Sequence, residues 1–278
     1  MQAQAYESKN SQYLLVKAPP ASGKSRALMF IALDKLKNQG LKKTIVCVPQ
    51  KMIGSSFRTT DLKSNGFFEN WKLEDKYNLC TPGIETSSSK VKSFHNFLKD
   101  PDSSILLCTH ATFRFACEDL KKNIFDKTVL AIDEFHHVSS EEGNKLGELL
   151  KQIMSKSSAH IVAMTGSYFR GDSVPVLDSE DESKFKTVIY NYYQQLNGYT
   201  YLKSLGLGFH FYQGQYTSAI MEVLDTNKKT IIHIPHPNSN ESTKDKINEV
   251  GFIIDEIGET IKQDHESGVI HVKRKDGK

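Results

Sequence analysis

Two short stretches hold residue types that do chemistry. Ala18-Pro-Pro-Ala-Ser-Gly-Lys-Ser25 ends in Gly-Lys-Ser, and Asp133-Glu134 sets two carboxylates at the end of the apolar run Thr128–Ile132. A loop of small residues between a buried strand and a helix turns its N–H groups toward a bound anion, and the helix N-terminus adds to that field. Gly23 permits the tight backbone, Lys24 reaches β- and γ-phosphates, and the Ser25 hydroxyl ligates Mg2+. The nucleotide-binding segment is read as Ala18, Pro19, Pro20, Ala21, Ser22, Gly23, Lys24, Ser25 and Arg26. Asp133 is expected to hold Mg2+, directly or through water, and Glu134 to orient and deprotonate an attacking water. Phosphoryl transfer needs mainly positioning and charge neutralisation, so these few groups suffice for Mg-ATP chemistry. The plain alternatives are a chance Gly-Lys-Ser at a helix start and two solvated carboxylates capping a helix. The strand–loop–helix context, and the occurrence of both features in one chain, argue against them. His136 and His137 do not form H-E-x-x-H, and neighbouring side chains on one element diverge, so zinc is not indicated.

These groups need a scaffold that brings strand ends together. Tyr13–Lys17, Thr44–Val48, Ser104–Cys108, Thr128–Ile132 and Ala159–Met164 read as buried strands, with Tyr77–Cys80 as a further short one. Ser25–Asn38, Lys90–Leu98, Ala111–Lys122 and Ser140–Lys156 read as helices between them. Such alternation predicts an α/β fold, a mainly parallel sheet sandwiched by helices. The strand ends are where ligands bind in such sheets. Residues 1–180 are expected to form this domain, with the acidic Gly171–Ser183 as an exposed loop. Residues 181–278 are expected to be a linker and a partial second α/β domain. Its expected strands are Phe209–Tyr212, Thr230–Ile234 and Val269–Lys273, and its expected helices lie in Ser218–Leu224 and Ser242–Gln263.

The formal charge of +3 gives no global basic signature. The cations are mostly Lys, with Arg only at 26, 58, 114, 170 and 274. The four cysteines lie far apart except for Cys108 and Cys117 and form no C-x-x-C; Cys47 and Cys108, inside apolar runs, read as buried strand thiols, and a reduced, cytoplasmic setting is expected. The N-terminus has no apolar signal core, and no apolar run is long enough for a bilayer, so no membrane partner is expected.

The motifs resemble those of superfamily 2 DExH-box helicases and translocases, the DEAD/DEAH-box group, closest in flavour to the ATPase subunit of type III restriction enzymes. A-P-P-A-S-G-K-S is similar to motif I, where Ala in the place of the first Gly is usual, and D-E-F-H is similar to motif II. Val46-Cys-Val-Pro-Gln-Lys51 resembles motif Ia, and Cys108-Thr-His-Ala-Thr-Phe113 the element after it. Met164-Thr-Gly-Ser167 sits where motif III reads S-A-T, with Gly166 for Ala. Ile232–Ser239 weakly resembles motif IV. The resemblance implies two RecA-like P-loop domains with ATP between them and nucleic acid across the top, DNA favoured over RNA. It implies that His136, Thr165, Gly166 and Ser167 couple the nucleotide to domain movement. It also implies that Lys51, Arg58, Thr109 and His110 lie near the nucleic-acid backbone.

One family feature is missing. Motif VI supplies arginines to the γ-phosphate, worth about 10³ or more in rate. Beyond Arg170 this sequence has only Arg274, and no Q-x-x-G-R-x-x-R. The chain thus reads as shortened, with motifs V and VI supplied by a missing C-terminal region or a partner chain, and turnover in isolation is expected to be weak. Three readings stay open: a nucleic-acid-dependent ATPase, a non-catalytic nucleotide-binding module completed by a partner, and another P-loop enzyme such as a small-molecule kinase. The scarcity of Arg and the D-E-F-H tetrapeptide disfavour the last.

Overall fold

The computed structural model describes residues 1–81, 87–137, 145–166, 179–198, 208, 210–228, 230–234, 245–263 and 270–275. The chain divides into two units, Met1–Leu202 and Lys203–Lys278.

The first unit runs α1 (Gln2–Glu7), β1 (Tyr13–Lys17), α2 (Lys24–Asn38), β2 (Lys43–Val48), α3 (Ser87–Lys99), β3 (Ile105–Thr109) and α4 (His110–Ala116). It continues through β4 (Thr128–Ile132), α5 (Lys145–Lys156), β5 (His160–Thr165), α6 (Ser179–Ser183), β6 (Lys186–Ile189) and α7 (Tyr192–Asn197). The six strands form one sheet in the order β3-β2-β4-β5-β1-β6, every pairing parallel. The strands are near-continuous apolar runs because both faces are covered; all five residues of β4 are buried. Successive side chains serve opposite cores. Leu14 and Val16 join one with Ala27, Leu28 and Ile31 of α2. Leu15 joins the other with Phe94 of α3 and Ile153 of α5. The expected α/β sandwich is what the first unit forms.

Several expectations are corrected. Tyr77–Cys80 is not a strand: a 3-10 turn spans Asp75–Tyr77, and one bridge joins Asn78 to Leu107. The helix expected to Lys122 stops at Ala116, and Lys122 Nζ donates to the Cys117 carbonyl at 2.7 Å, satisfying an end that the helix leaves open. The expected start of α5 at Ser140 lies outside the described residues. Residue 180 is no boundary for the compact unit, because β6 pairs with β1 and Phe185 is in the core. Of the supposed acidic loop, residues 179–183 are helical and the rest lies outside the described residues.

The second unit contains α8 (Tyr216–Val223), α9 (Lys246–Ile257), β7 (Gly258–Gln263) and β8 (Ile270–Arg274), the last two an antiparallel pair. No parallel pairing occurs among its described residues. Residues 230–234, expected as a strand, are irregular. Ile231 there is 98% exposed, so the apolar run has neither strand partner nor core to hold it extended. Residues 210–212, also expected as strand, are irregular too.

Candidate nucleotide site

The loop after β1 is fastened into the sheet before it turns. The Ala18 N–H donates to the Thr165 carbonyl at 3.0 Å, extending the β1–β5 ladder by one bond. Ala18 is buried in the α2-side core, which gives its methyl group a place and explains why Gly is not needed there. Ala21 and Gly23 take left-handed backbone, φ 59° and 85°, a turn pattern in which successive N–H groups converge on a concave anion site. Ser22 Oγ donates to Pro19 O at 2.7 Å. Lys24 is buried, with Nζ donating to the carbonyls of Ala18 (2.9 Å) and Pro19 (3.0 Å). Burial pushes its pKa down, and Glu134 and Asp133 partly oppose that. Ser25 and Arg26 follow in the first turn of α2, half-buried.

The end of β5 lies between the two chemical stretches, because β5 separates β1 from β4 in the sheet. Asp133 is 4% exposed, its N–H donating to Cys47 O at 2.9 Å. Burial raises its carboxyl to about 6 and the Glu134 charge adds to this; a hydrogen bond from the Glu134 N–H and the Lys24 charge pull the other way. Glu134 also has left-handed backbone, φ 49°. Its Oε2 accepts from the Gly166 N–H at 3.3 Å and lies 3.3 Å from His136 Nδ1. His136 Nδ1 is also 3.0 Å from Thr165 Oγ1. A methyl group on Gly166 would approach Lys24 Nζ to 3.3 Å, so the loop, the acidic strand end and Thr165–Gly166 form one contiguous cluster. Ser167 lies outside the described residues, as does the side chain of His137.

The cluster suits Mg-nucleotide. It offers a concave set of N–H groups, a lysine already amid loop oxygens, and a buried carboxylate whose raised pKa marks an environment short of positive charge. Ser25 and Asp133 would hold the metal.

The residues expected near nucleic acid differ in exposure. Lys51 and Arg58 are exposed at the two ends of a 3-10 turn, Lys51–Phe57. Thr109 caps α4, its Oγ1 accepting from Thr112 N at 3.2 Å. His110 is buried, and its Nε2 donates to the Asp133 carbonyl at 3.0 Å. It therefore braces the acidic strand end from within.

The sequence model of the DEAD/DEAH box helicase family matches residues 1–171. The chain belongs to that family. It is 65% identical over 279 residues to YeeB of Bacillus subtilis (strain 168), which is named an ATP-dependent helicase, and it spans 46% of that protein's length. Among solved structures it is similar to the Pyrococcus furiosus Hef helicase domain, with 13% identity and a TM-score of 0.48 over 80% of this chain and 43% of that one. It is also similar to the UvsW helicase of bacteriophage T4, with 14% identity and a TM-score of 0.41 over 68% and 57%. A nuclease-deletion mutant of the Type ISP restriction-modification enzyme LlaGI, in complex with a DNA substrate mimic, matches at 14% and 0.41 over 80% and 21%.

Two glutamines of this helicase-family domain escaped sequence reading. Gln2 Nε2 on α1 donates to Gly23 O at 3.2 Å, and Gln195 Nε2 on α7 donates to Pro20 O at 3.0 Å. Both line a cavity beside the loop, with Ala21, Ser22 and Tyr190. Gln2 sits in a polar N-terminal stretch. Gln195 sits in an aromatic-rich stretch whose period fits neither helix nor strand, so neither position carries a sequence signal.

Proposed function

We propose that this chain is the ATP-binding half of a nucleic-acid-dependent ATPase of the superfamily 2 helicase type. The observation that carries this is the cluster of Lys24, Asp133, Glu134 and Gly166 at the carboxyl edge of a parallel sheet. Lys24 would exchange its loop carbonyls for the β- and γ-phosphates, a charge-assisted contact in place of neutral ones. Bound Mg2+ would neutralise charge developing on the phosphate oxygens. Glu134, oriented by the Gly166 N–H and His136, would accept the proton of the attacking water. Thr165 and His136 would transmit the state of the nucleotide toward the second unit. Residues 203–278 would then begin the second RecA-like domain, the chain would act in the cytoplasm, and DNA is the favoured polymer.

The test is ATP hydrolysis with and without single- or double-stranded DNA or RNA. Stimulation that is lost in Lys24→Ala and Glu134→Gln supports the reading. A rate that no nucleic acid changes, and that both variants retain, would sink it.

A second reading is a nucleotide-binding module that hydrolyses ATP only when another polypeptide or further sequence completes the site. Arg274 favours it: its Nη1 donates to Thr226 O and Asn227 Oδ1, both at 3.3 Å within the second unit, and residues 171–273 contain no other arginine. Tight ATP binding with turnover only after addition of the remainder of a YeeB-like chain would select this reading.

A further inference from the structure

His110 is the first residue of α4 and follows directly on β3. Thr109 caps that helix from extended backbone, φ −83° and ψ 158°, and its Oγ1 accepts from the Thr112 N–H. The cap fixes the point from which the His110 side chain sets out. β3 and β4 are not neighbours in the sheet, because β2 lies between them. The 3.0 Å bond from His110 Nε2 to the Asp133 carbonyl therefore crosses the end of β2. A carbonyl oxygen only accepts, so Nε2 carries the proton.

What this bond holds is one peptide plane. The Asp133 carbonyl and the Glu134 N–H belong to the same planar unit. One end of it accepts from His110, and the other donates to Asp133 Oδ1 at 3.0 Å. The preceding peptide is anchored separately, through the Asp133 N–H and Cys47 O at 2.9 Å. The residue that follows, Glu134, sits at φ 49°. A non-glycine residue keeps such a backbone only where its surroundings over-determine it. Turning the plane away from His110 would let Glu134 relax, and would take its N–H off the Asp133 carboxylate. With the carbonyl held, the plane keeps that N–H in place and keeps Glu134 in the turn that brings its Oε2 to the Gly166 N–H at 3.3 Å. His110 is buried, so losing its donor leaves the Asp133 carbonyl short of a partner where water does not readily replace it.

We propose that His110 is a positioning residue of the nucleotide site. By holding the peptide plane between Asp133 and Glu134 it aims both carboxylates, and so sets how well the site takes the metal of a metal–nucleotide complex. The proposal rests on the Mg-nucleotide reading of the preceding section. His110 acts through Asp133 and Glu134, and the phosphate loop after β1 does not depend on it. Its effect therefore falls on the metal-dependent part of nucleotide binding.

The test is calorimetric titration of the full chain with ATP over a series of free Mg2+ concentrations, and again in EDTA. Wild type is compared with His110→Leu, which removes the donor, and His110→Gln, whose amide N–H has nearly the reach of Nε2. Amide hydrogen exchange at Glu134 is followed in the nucleotide-free protein. His110→Leu should raise the Mg2+ concentration for half-maximal ATP binding about fivefold, the equilibrium equivalent of one buried hydrogen bond. It should speed exchange at Glu134 by a similar factor, and affect ATP affinity in EDTA less. His110→Gln should restore both properties toward wild type. A purely structural role would instead shift binding in Mg2+ and in EDTA together. An unchanged Mg2+ dependence in His110→Leu, with wild type binding Mg-ATP, overturns the proposal and leaves the nucleotide reading intact. A glutamine variant as impaired as the leucine one also overturns it, since the hydrogen bond is then not what matters. Absence of Mg-ATP binding by wild type overturns both. Should His110→Leu fail to fold, His110→Asn, whose amide is too short to reach the Asp133 carbonyl, decides under the same criteria.

Discussion

Lys35 is fully buried in α2, the helix that begins at the phosphate loop, and its Nζ donates to Ser11 O at 2.8 Å and to His160 Nδ1 at 2.9 Å. Burial lowers its pKa to about 8, only partly offset by Asp34. Its unfolded value is about 10.4. Between those values the unfolded chain binds more protons, so stability rises with pH across that window. The shift corresponds to about 3 kcal/mol, an upper figure for a group coupled to neighbours. Replacing Lys35 with Met removes that penalty but strips a donor from Ser11 O and a partner from His160, each worth about 1–3 kcal/mol. The two effects nearly cancel at pH 7.5. The signature is therefore the pH dependence. The stability of wild type minus that of Lys35→Met should climb by about 2–3 kcal/mol from pH 7.5 to 10.5. Urea unfolding followed by Trp71 fluorescence measures this, since that residue is the chain's one tryptophan and fully buried in the first unit. A difference that stays flat across this range would refute the reasoning.

Three further outcomes follow from the same geometry. Gly23→Ala places a side chain at φ 85° and against Gln2 Nε2; it should cost about 1 kcal/mol or more of stability and weaken ATP binding in calorimetry. Asp133→Asn should raise the melting temperature of the nucleotide-free protein, by about 1–3 kcal/mol of stability at pH 7.5, while removing Mg2+-dependent ATP binding; the sign follows because a carboxyl raised to about 6 stabilises the fold only as pH falls through 6 toward its unfolded value. Gln195→Leu should lower ATP affinity about fivefold by taking the donor from Pro20 O, with little change in the melting temperature of the first unit.

What could be read in advance follows from where the signal is local. The loop between β1 and α2 was legible because Gly-Lys-Ser is bounded by an apolar run on one side and a helical period on the other. The end of β4 was legible because TVLAI stops abruptly at two carboxylates. The direction of a polar side chain in a loop is not local. Thr109 and His110 looked alike as loop polarity, yet one caps a helix and the other turns inward to the Asp133 carbonyl. Strand formation also depends on neighbours. Lys186–Ile189 has a half-exposed, partly polar pattern and joins the sheet because β1 offers an edge. TIIHI at residues 230–234 has the better strand composition and stays irregular among the described residues. The phosphate-loop contacts of Gln2 and Gln195 come from elements far apart in sequence, which no spacing rule links.

The candidate site holds two of the three non-glycine residues with left-handed backbone among the described residues, Lys127 being the third. Ala21 and Glu134, both non-glycine, have left-handed backbone, at a cost of about 1–2 kcal/mol each. The carboxyl of Asp133 is raised by burial and the ammonium of Lys24 is lowered by it, so each charge is held in a medium that disfavours it. The two partly compensate, but neither is fully paired with the other: Lys24 Nζ is spent on neutral carbonyls, and among the described residues the Asp133 carboxylate receives its hydrogen bond from the adjacent Glu134 N–H. A ligand carrying both negative phosphate oxygens and a divalent cation supplies what each lacks at once, whereas a metal alone or a phosphate alone answers only half of the imbalance. On the proposed reading the site would favour the metal–nucleotide complex over its parts, with the destabilisation built into the surrounding fold as the source of that preference.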